Sequence, residues 1–197
     1  MYILSGKFKG RRLGFPTGKV LRPTTGLVRK AFFDLVAPKI VGSCFLDLYA
    51  GTGAVGIEAL SRGAEKVVFV ENDRKVVPYL EQNIQAFQSQ YPSPESSIIL
   101  YRKSVEKALG LLARDGHQFD LIFADPPYTF TEERLIRLII ESLSHKLLKP
   151  GGIFILQHRS GLEKNPIFQQ GLALLPLTRD TRRYGDTSLS LLHSPRT

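Results

Sequence analysis

The stretch CFLDLYAGTGAVGIEALSRG, residues 44–63, contains the pattern that decides the fold. A short apolar run ends near Asp47, a glycine-rich segment follows, and an apolar helical pattern then closes at Gly63. Small residues let the chain turn tightly, and the helix that follows presents unpaired backbone N–H groups to a ligand. The stretch therefore predicts a strand, a ligand-binding loop and a helix in succession.

The same alternation continues along the chain. Apolar strand patterns recur at residues 66–71, 97–102, 119–125 and 151–158, with helical patterns between them. From about Leu162 glycine and proline interrupt the pattern, and we expect two further strands there that close the sheet. Strands and helices that alternate in short units are typical of an α/β fold, with a mostly parallel sheet and helices on both faces.

The first twenty residues differ from the rest. They are basic, interrupted by glycine and alternate between apolar and polar, which predicts a β-hairpin extension over residues 1–20 and a main domain over 21–197. The next segment suits a helix with Thr24 or Thr25 as its cap. Five apolar positions on it predict its buried face: Leu27, Val28, Ala31, Phe32 and Leu35.

Charge and composition limit the classes of function. The chain has 27 basic and 18 acidic residues, a net charge of +9, so a polyanionic partner is expected. One cysteine excludes an internal disulfide and a cysteine-based zinc site, and no other residues have the spacing of a metal site. No apolar run approaches the roughly 18 residues of a membrane span. We expect a soluble, cytoplasmic monomer without a membrane segment.

The glycine-rich segment suits an adenosine cofactor. GTGAVG matches the G-x-G-x-x-G pattern, and Glu71 stands 20 residues after Gly51, where an acid would meet ribose hydroxyls. These features fit both a nicotinamide dinucleotide and S-adenosylmethionine. Asp47, just before the glycines, would repel a pyrophosphate but would favour the cationic amino and sulfonium groups of S-adenosylmethionine. The basic extension has no obvious use in a dehydrogenase.

The tetrapeptide DPPY, residues 125–128, follows the fourth predicted strand. Two prolines fix the backbone and remove two N–H donors, so the oxygens nearby can only accept hydrogen bonds. Acceptors beside the ring of Tyr128 suit an exocyclic amine on a nucleobase, whose two N–H groups they would hold. The amine lone pair would then point toward an incoming methyl group. This reasoning leaves open adenine or guanine, and whether Asp125 takes the proton.

The whole chain, from about Ile3 to Leu192, resembles a known family. GKFKGRRL, RPTTGLVRKAFF, FDLIFADPPY and RRYGDTSLSL are similar to segments of bacterial small-subunit ribosomal RNA guanine-N2 methyltransferases. The resemblance implies a Rossmann-like, seven-stranded sheet with an N-terminal β-hairpin. It also implies methyl transfer from S-adenosylmethionine to N2 of guanine 966 in 16S rRNA.

The resemblance also implies a set of site residues. The catalytic candidates are Asp125, Pro126 and Tyr128. The cofactor-binding candidates are Asp47, Tyr49, Gly51, Gly53, Glu71, Asn72 and Ser104. For contact with substrate RNA the resemblance implies Arg22, Pro23, Thr24 and Thr25. The basic character of the N-terminal region adds Arg11, Arg12 and Arg29, and the place of His158 after the fifth strand adds that residue.

Two positions depart from the family pattern. Ser104 stands where the family usually has an acid that meets the adenine amino group, and the nearby Glu106 is an alternative residue for that contact. Gly26 stands where the family usually has an acid at the helix start.

Three other functions remain open on the sequence. An adenine-N6 methyltransferase acting on DNA or RNA would use the same DPPY tetrapeptide. A catalytically silent RNA-binding module would keep the fold, although intact Asp47, Glu71 and DPPY weigh against it. A dehydrogenase would use the glycines and Glu71 for a dinucleotide.

Overall fold

The computed structural model describes residues 1–16, 25–90 and 97–196, and the chain divides into two compact units, Met1–Val105 and Glu106–Thr197. The elements of the first unit, in chain order, are α1 (Gly26–Ile40), β1 (Cys44–Leu48), α2 (Ala54–Ser61), β2 (Lys66–Val70), α3 (Val77–Gln88) and β3 (Ser97–Tyr101). The second unit follows with α4 (Val105–Arg114), β4 (Phe119–Ala124), α5 (Glu132–Ser144), β5 (Leu148–Arg159), a 3-10 turn (Leu162–Lys164), α6 (Pro166–Ala173), β6 (Thr178–Tyr184) and β7 (Thr187–His193). None of the helices described is long and apolar enough to cross a membrane.

The seven strands form a mostly parallel sheet, which confirms the predicted Rossmann-like α/β fold. In the first unit, β2 pairs in parallel with both β1 and β3. In the second unit, β4 and β5 are parallel, whereas β7 runs antiparallel to both β5 and β6. The last four residues of β1 and of β2 are buried. Strands covered on both faces read as continuous apolar runs, which is why the sequence located them well.

The end of the chain supplies two strands, as predicted, and also a helix that the sequence reading missed. β6 and β7 form a hairpin that turns at Gly185, whose φ is +62°. Before it, α6 begins with Asn165, whose side chain accepts from the backbone N–H groups of Ile167 and Phe168. An asparagine cap followed by proline is a recognisable start signal for a helix, and it was available in the sequence.

The first sixteen residues, called here the N-terminal segment, pack on the first unit. Its two arms meet in an antiparallel bridge between Tyr2 and Arg12. Ile3, Phe8 and Leu13 are buried. The rest of the predicted hairpin, residues 17–20, lies outside the described residues, so the domain boundary at residue 20 stays a prediction.

Helix α1 buries Val28 and Phe32 of the predicted face, whereas Ala31 and Leu35 are half-buried. Thr25 caps it by accepting from the N–H of Val28, but Leu27 is 69% exposed. The residues that are buried are Val28, Arg29, Phe32, Phe33, Val36 and Ile40. Two adjacent phenylalanines with ring centroids 4.6 Å apart face inward, and Arg29 turns inward with them.

A buried ion cluster fastens three elements of the first unit. Nε of Arg29 lies 2.9 Å from Oε2 of Glu58, and both side chains are almost fully buried. Arg62 binds the other oxygen of Glu58 at 2.8 Å, and Arg29 also donates to the carbonyl of Tyr2. Burial lowers the pKa of Arg29, while Glu58 acts in the opposite direction. The cluster ties α1, α2 and the N-terminal segment together.

We expect Glu58→Ala to lower the free energy of unfolding by about 3–5 kcal/mol, because it leaves a buried guanidinium without its counter-charge. Asp34→Ala is the matched control, since Asp34 pairs with Lys30 at the surface and its loss should cost less than about 1 kcal/mol. Denaturant unfolding of both variants measures the difference. Equal losses would show that the buried cluster does not stabilise the unit in this way.

Candidate functional site

Two carboxylates hold the glycine loop (residues 49–56) of the first unit. Oδ2 of Asp47, at the end of β1, accepts from the backbone N–H of Gly56 at 2.8 Å. Oε2 of Glu71, just after β2, accepts from the N–H of Gly51, also at 2.8 Å. Helix α2 has Gly53 as its N-cap and no side-chain cap of its own. Asp47 therefore takes the place of the cap from the preceding strand.

Glu71 is oriented by its own neighbourhood. Besides Gly51, the backbone N–H groups of Asn72 and Asp73 donate to its Oε1 at 2.8 and 2.9 Å. A carboxylate offers about four lone-pair sites, so these three bonds leave room for one more donor. The candidate Asn72 is itself exposed next to this carboxylate.

The glycines of the loop are required for different structural reasons, which depend on the space around each one. A Cβ at Gly53 would lie 2.5 Å from the side chain of Leu80, and one at Gly56 would lie 2.2 Å from the ring of Phe69. At Gly51, with φ at +57°, a Cβ would meet nothing within 4 Å. Tyr49 is a bulky residue at φ +59°, a strained conformation found often at ligand sites. The backbone at Gly51 is thus the point that a ligand can approach.

The predicted adenine contact lies where the first unit ends. Ser104 follows β3 and directly precedes α4, and it is partly exposed. Glu106, the alternative for this contact, forms a 3.0 Å ion pair with Arg134 in the second unit. That pairing favours Ser104 over Glu106 for the adenine contact, which stays a prediction.

In the second unit, Asp125 follows β4 directly and begins the DPPY turn (Asp125–Tyr128). Pro126 is buried and Pro127 is exposed. The hydroxyl of Tyr128 lies 3.0 Å from Oγ1 of Thr187, the first residue of β7. This bond anchors the far end of the tyrosine ring, while the ring itself stays partly exposed.

A cavity that is partly open to solvent lies beside the DPPY turn. The DPPY turn, the segment before α5, α5 itself, the end of β5 and the start of the 3-10 turn line the cavity. The lining residues are Pro126, Pro127, Tyr128, Phe130, Glu132, Leu135, Gln157, His158, Arg159 and Leu162. The guanidinium of Arg134 lies 3.5 Å from the ring centroid of Phe130 and covers it. The cavity combines apolar and aromatic walls with a few polar groups, as ligand pockets do.

His158 lines this cavity but is held by the protein. Nδ1 lies 2.9 Å from the carbonyl oxygen of Arg159, so Nδ1 carries the proton and donates. Nε2 lies 2.8 Å from Oγ of Ser190 and accepts from it. The side chain is 2% exposed, and burial lowers its pKa. Because both ring nitrogens bond to groups of the protein, we do not propose that His158 binds RNA.

The structure separates the other RNA candidates. Arg12 is exposed, whereas Nη2 of Arg11 donates to the carbonyl of Ala86 at 2.6 Å. Arg29 is 2% exposed and paired with Glu58, so the expectation that it contacts RNA is corrected: burial keeps its guanidinium from phosphate. Thr25 caps α1. Three candidates, Arg22, Pro23 and Thr24, lie outside the described residues.

Comparison with known proteins shows the family to which the chain belongs. The family model described as "Conserved hypothetical protein 95" matches residues 1–193. Ribosomal RNA small subunit methyltransferase D of Haemophilus influenzae is 34% identical, over 79% of this chain and 77% of that protein. The chain belongs to this family. The Escherichia coli K12 member of the small subunit methyltransferase D family is 36% identical, over 64% of this chain and 59% of that protein.

Solved structures share the fold of this chain. A hypothetical protein of Thermus thermophilus is 31% identical, has a TM-score of 0.73, and the match covers 100% of this chain and 99% of that one. A methyltransferase from Pyrococcus furiosus, 20% identical with a TM-score of 0.64, covers 94% and 89% of the two chains and shows the shared fold. As a member of the methyltransferase D family, the protein is a methyltransferase.

Burial of His158 predicts a dependence of stability on pH. Its pKa is lowered in the folded state, so the unfolded chain binds the proton more readily. Stability contributed by neutral His158 is present above about pH 6.5 and is lost as the pH falls toward the folded-state pKa, at up to about 1.4 kcal/mol per pH unit. We expect the free energy of unfolding to fall less between pH 7.5 and pH 5.5 in His158→Gln than in the wild type. Identical pH profiles in denaturant titrations would contradict this.

Proposed function

We propose that the protein transfers a methyl group from S-adenosylmethionine to the exocyclic N2 amine of a guanine in the 16S rRNA of the small ribosomal subunit. The observation that carries the proposal is the DPPY turn at the end of β4, where hydrogen-bond acceptors and an anchored tyrosine ring meet beside a cavity. Relatives named as small subunit rRNA methyltransferases support the choice of RNA.

The glycine loop fits the proposed cofactor. S-adenosylmethionine carries its methyl group on a sulfonium sulfur, which becomes a neutral thioether on transfer. The acceptor site left on Glu71 suits a ribose hydroxyl, and the open backbone at Gly51 lets the cofactor approach. Asp47 contributes a negative charge that favours a cationic ligand. Ser104 would accept a bond from the adenine amino group.

The DPPY turn would supply hydrogen-bond acceptors that orient the amine for methyl transfer. An aromatic amine is a poor nucleophile because its lone pair is delocalised into the ring. The carboxylate of Asp125 and the carbonyl of Pro126 would accept its two N–H bonds and so direct the lone pair out of the ring plane. Tyr128 would stack on the base. Once the N–C bond has formed, the amine gives up one proton to Asp125 or to solvent.

The N-terminal segment is the proposed surface for RNA. Its side chains Lys7, Lys9 and Arg12 are exposed, and the chain has a net charge of +9. Basic side chains bind phosphates without reading the sequence, so they would hold the rRNA while the DPPY turn receives one base. Phe8 is buried and lies 4.3 Å from the ring of Phe87, so it supports this segment rather than stacking on RNA. We propose that the protein acts in the cytoplasm, where its substrate is assembled, and that it acts as a monomer.

The test of the proposal is the identity of the product. Small-subunit particles from a strain that lacks the gene are incubated with the protein and S-adenosylmethionine, and the nucleosides of the 16S rRNA are separated by mass spectrometry. We expect N2-methylguanosine to appear. N6-methyladenosine would indicate the alternative adenine activity, and no new nucleoside on any RNA would indicate a silent binding module.

Glu71→Ala should weaken binding of S-adenosylhomocysteine by about 2–4 kcal/mol, because it removes an acceptor for the ribose and releases the N–H of Gly51. The control is Asp73→Ala, which changes an exposed acid two residues away whose Oδ1 accepts from the N–H of Lys75. Calorimetric titration compares both with the wild type. Unchanged affinity in Glu71→Ala would remove Glu71 from the cofactor site.

Asp125→Ala should lower the single-turnover rate at least about a hundredfold, or roughly 2.7 kcal/mol, since it removes an acceptor that orients the amine. Asp125→Asn should keep more activity, because its amide oxygen still accepts one N–H bond. Asp120→Ala is the control: Asp120 lies at the start of the same strand and pairs with Lys149. A near wild-type rate in Asp125→Ala would show that Asp125 does not orient the amine.

A further inference from the structure

The cavity beside the DPPY turn has a buried polar atom without a partner. Gln157 of β5 is 5% exposed, and its Oε1 makes no hydrogen bond within the part of the chain that the structure describes. Buried side-chain oxygens are nearly always paired, and a specific exception calls for an explanation. The adjacent His158 uses both of its nitrogens. The unpaired oxygen at Gln157 therefore marks a place where a bound molecule can donate.

The end of β5 brings Gln157 to the cavity beside the DPPY turn. The last paired residues of β4 and β5 are Ala124 and Leu156. Asp125 follows the end of β4, and Gln157 is the next residue of β5. Gln157 lines the same cavity as Pro126 and Tyr128 of the DPPY turn. A base that enters this cavity therefore meets the Gln157 side chain together with the DPPY turn.

The ring nitrogen beside the exocyclic amine distinguishes guanine from adenine and cytosine. In guanine, the group beside the exocyclic amine on the Watson–Crick edge is N1–H, a donor. In adenine the corresponding neighbour of the amine is N1, and in cytosine it is N3, both without hydrogen and therefore acceptors. Enzymes that act on an extruded base read this edge by hydrogen bonds. An acceptor next to the amine site is satisfied by guanine and is opposed by the lone pair of adenine or cytosine.

We propose that Gln157 is a specificity-determining residue, whose Oε1 accepts the N1–H of the target guanine while Asp125 holds the neighbouring N2 amine. This inference rests on the proposed function and deepens it, since it names the group that selects guanine among the bases with an exocyclic amine. The side chain acts on binding and orientation of the base and takes no part in the transfer of the methyl group.

The experiment changes the base and the residue together. Small-subunit particles are reconstituted with 16S rRNA that carries either guanine or 2-aminopurine at the methylated position. 2-aminopurine keeps the amine at the same ring carbon but has a lone pair at N1 in place of N1–H. For the wild type we expect kcat/KM to be at least about tenfold higher on guanine, as expected when a recognition hydrogen bond is lost.

Two variants test the residue. Gln157→Met keeps the length of the side chain without the acceptor, so its preference for guanine over 2-aminopurine should fall at least about tenfold relative to the wild type. Gln157→Glu keeps an oxygen acceptor and should retain the preference within about threefold. Gln170→Met, on the exposed surface of α6, is the matched control and should behave as the wild type. Affinity for S-adenosylhomocysteine and the melting temperature report on folding of each variant.

The outcomes separate this inference from the function on which it rests. If the wild type forms no N2-methylguanosine, the proposed function fails and this inference fails with it. If the wild type methylates guanine and Gln157→Met keeps the full preference, the function stands and Gln157 does not select the base. Loss of the preference in Gln157→Glu, with cofactor affinity retained, would equally overturn the role of the oxygen.

Discussion

The hydrogen bonds from two carboxylates to the glycine loop are the constraint on which the site in the first unit depends. Asp47 binds the N–H of Gly56 and Glu71 binds the N–H of Gly51, each at 2.8 Å. A loop with few side chains has little packing to hold it, so these bonds fix its shape between strand and helix. The acids come from the ends of two neighbouring parallel strands, and the sheet register therefore sets the geometry of the loop.

The hairpin that closes the second unit has a comparable part in the candidate site of that unit. Thr187 of β7 binds the hydroxyl of Tyr128, and Ser190 of the same strand binds His158. The strand next to β5 thus orders both the DPPY turn and one wall of the cavity. The sequence of β7 does not indicate these contacts, because threonine and serine are common residues in strands.

The sequence predicted the features whose physical cause is local. Parallel strands buried on both faces read as apolar runs, and the glycine and DPPY motifs sit directly after such runs, so their placement followed. The helix α6 was missed although Asn165 and Pro166 signalled its start, because the glycine and proline residues around it suggested breaks.

Features set by distant contacts could not be read from the sequence. Arg29 looked like one more basic residue in a basic region, and only the approach of Glu58 shows that it belongs to the core. Phe8 is buried against Phe87 and Leu27 is exposed for the same reason, since tertiary packing decides which way a segment turns. The unpaired oxygen of Gln157 is likewise a property of the folded cavity alone.

The glycine loop, held by Asp47 and Glu71, binds a sulfonium cofactor in preference to a dinucleotide. Calorimetric titration of the protein with S-adenosylmethionine and, under the same conditions, with NAD measures this preference. We expect saturable binding of S-adenosylmethionine and no heat of binding for NAD, because Asp47 favours a cation and opposes a pyrophosphate. Binding of NAD in preference to S-adenosylmethionine would show that the loop is a dinucleotide site.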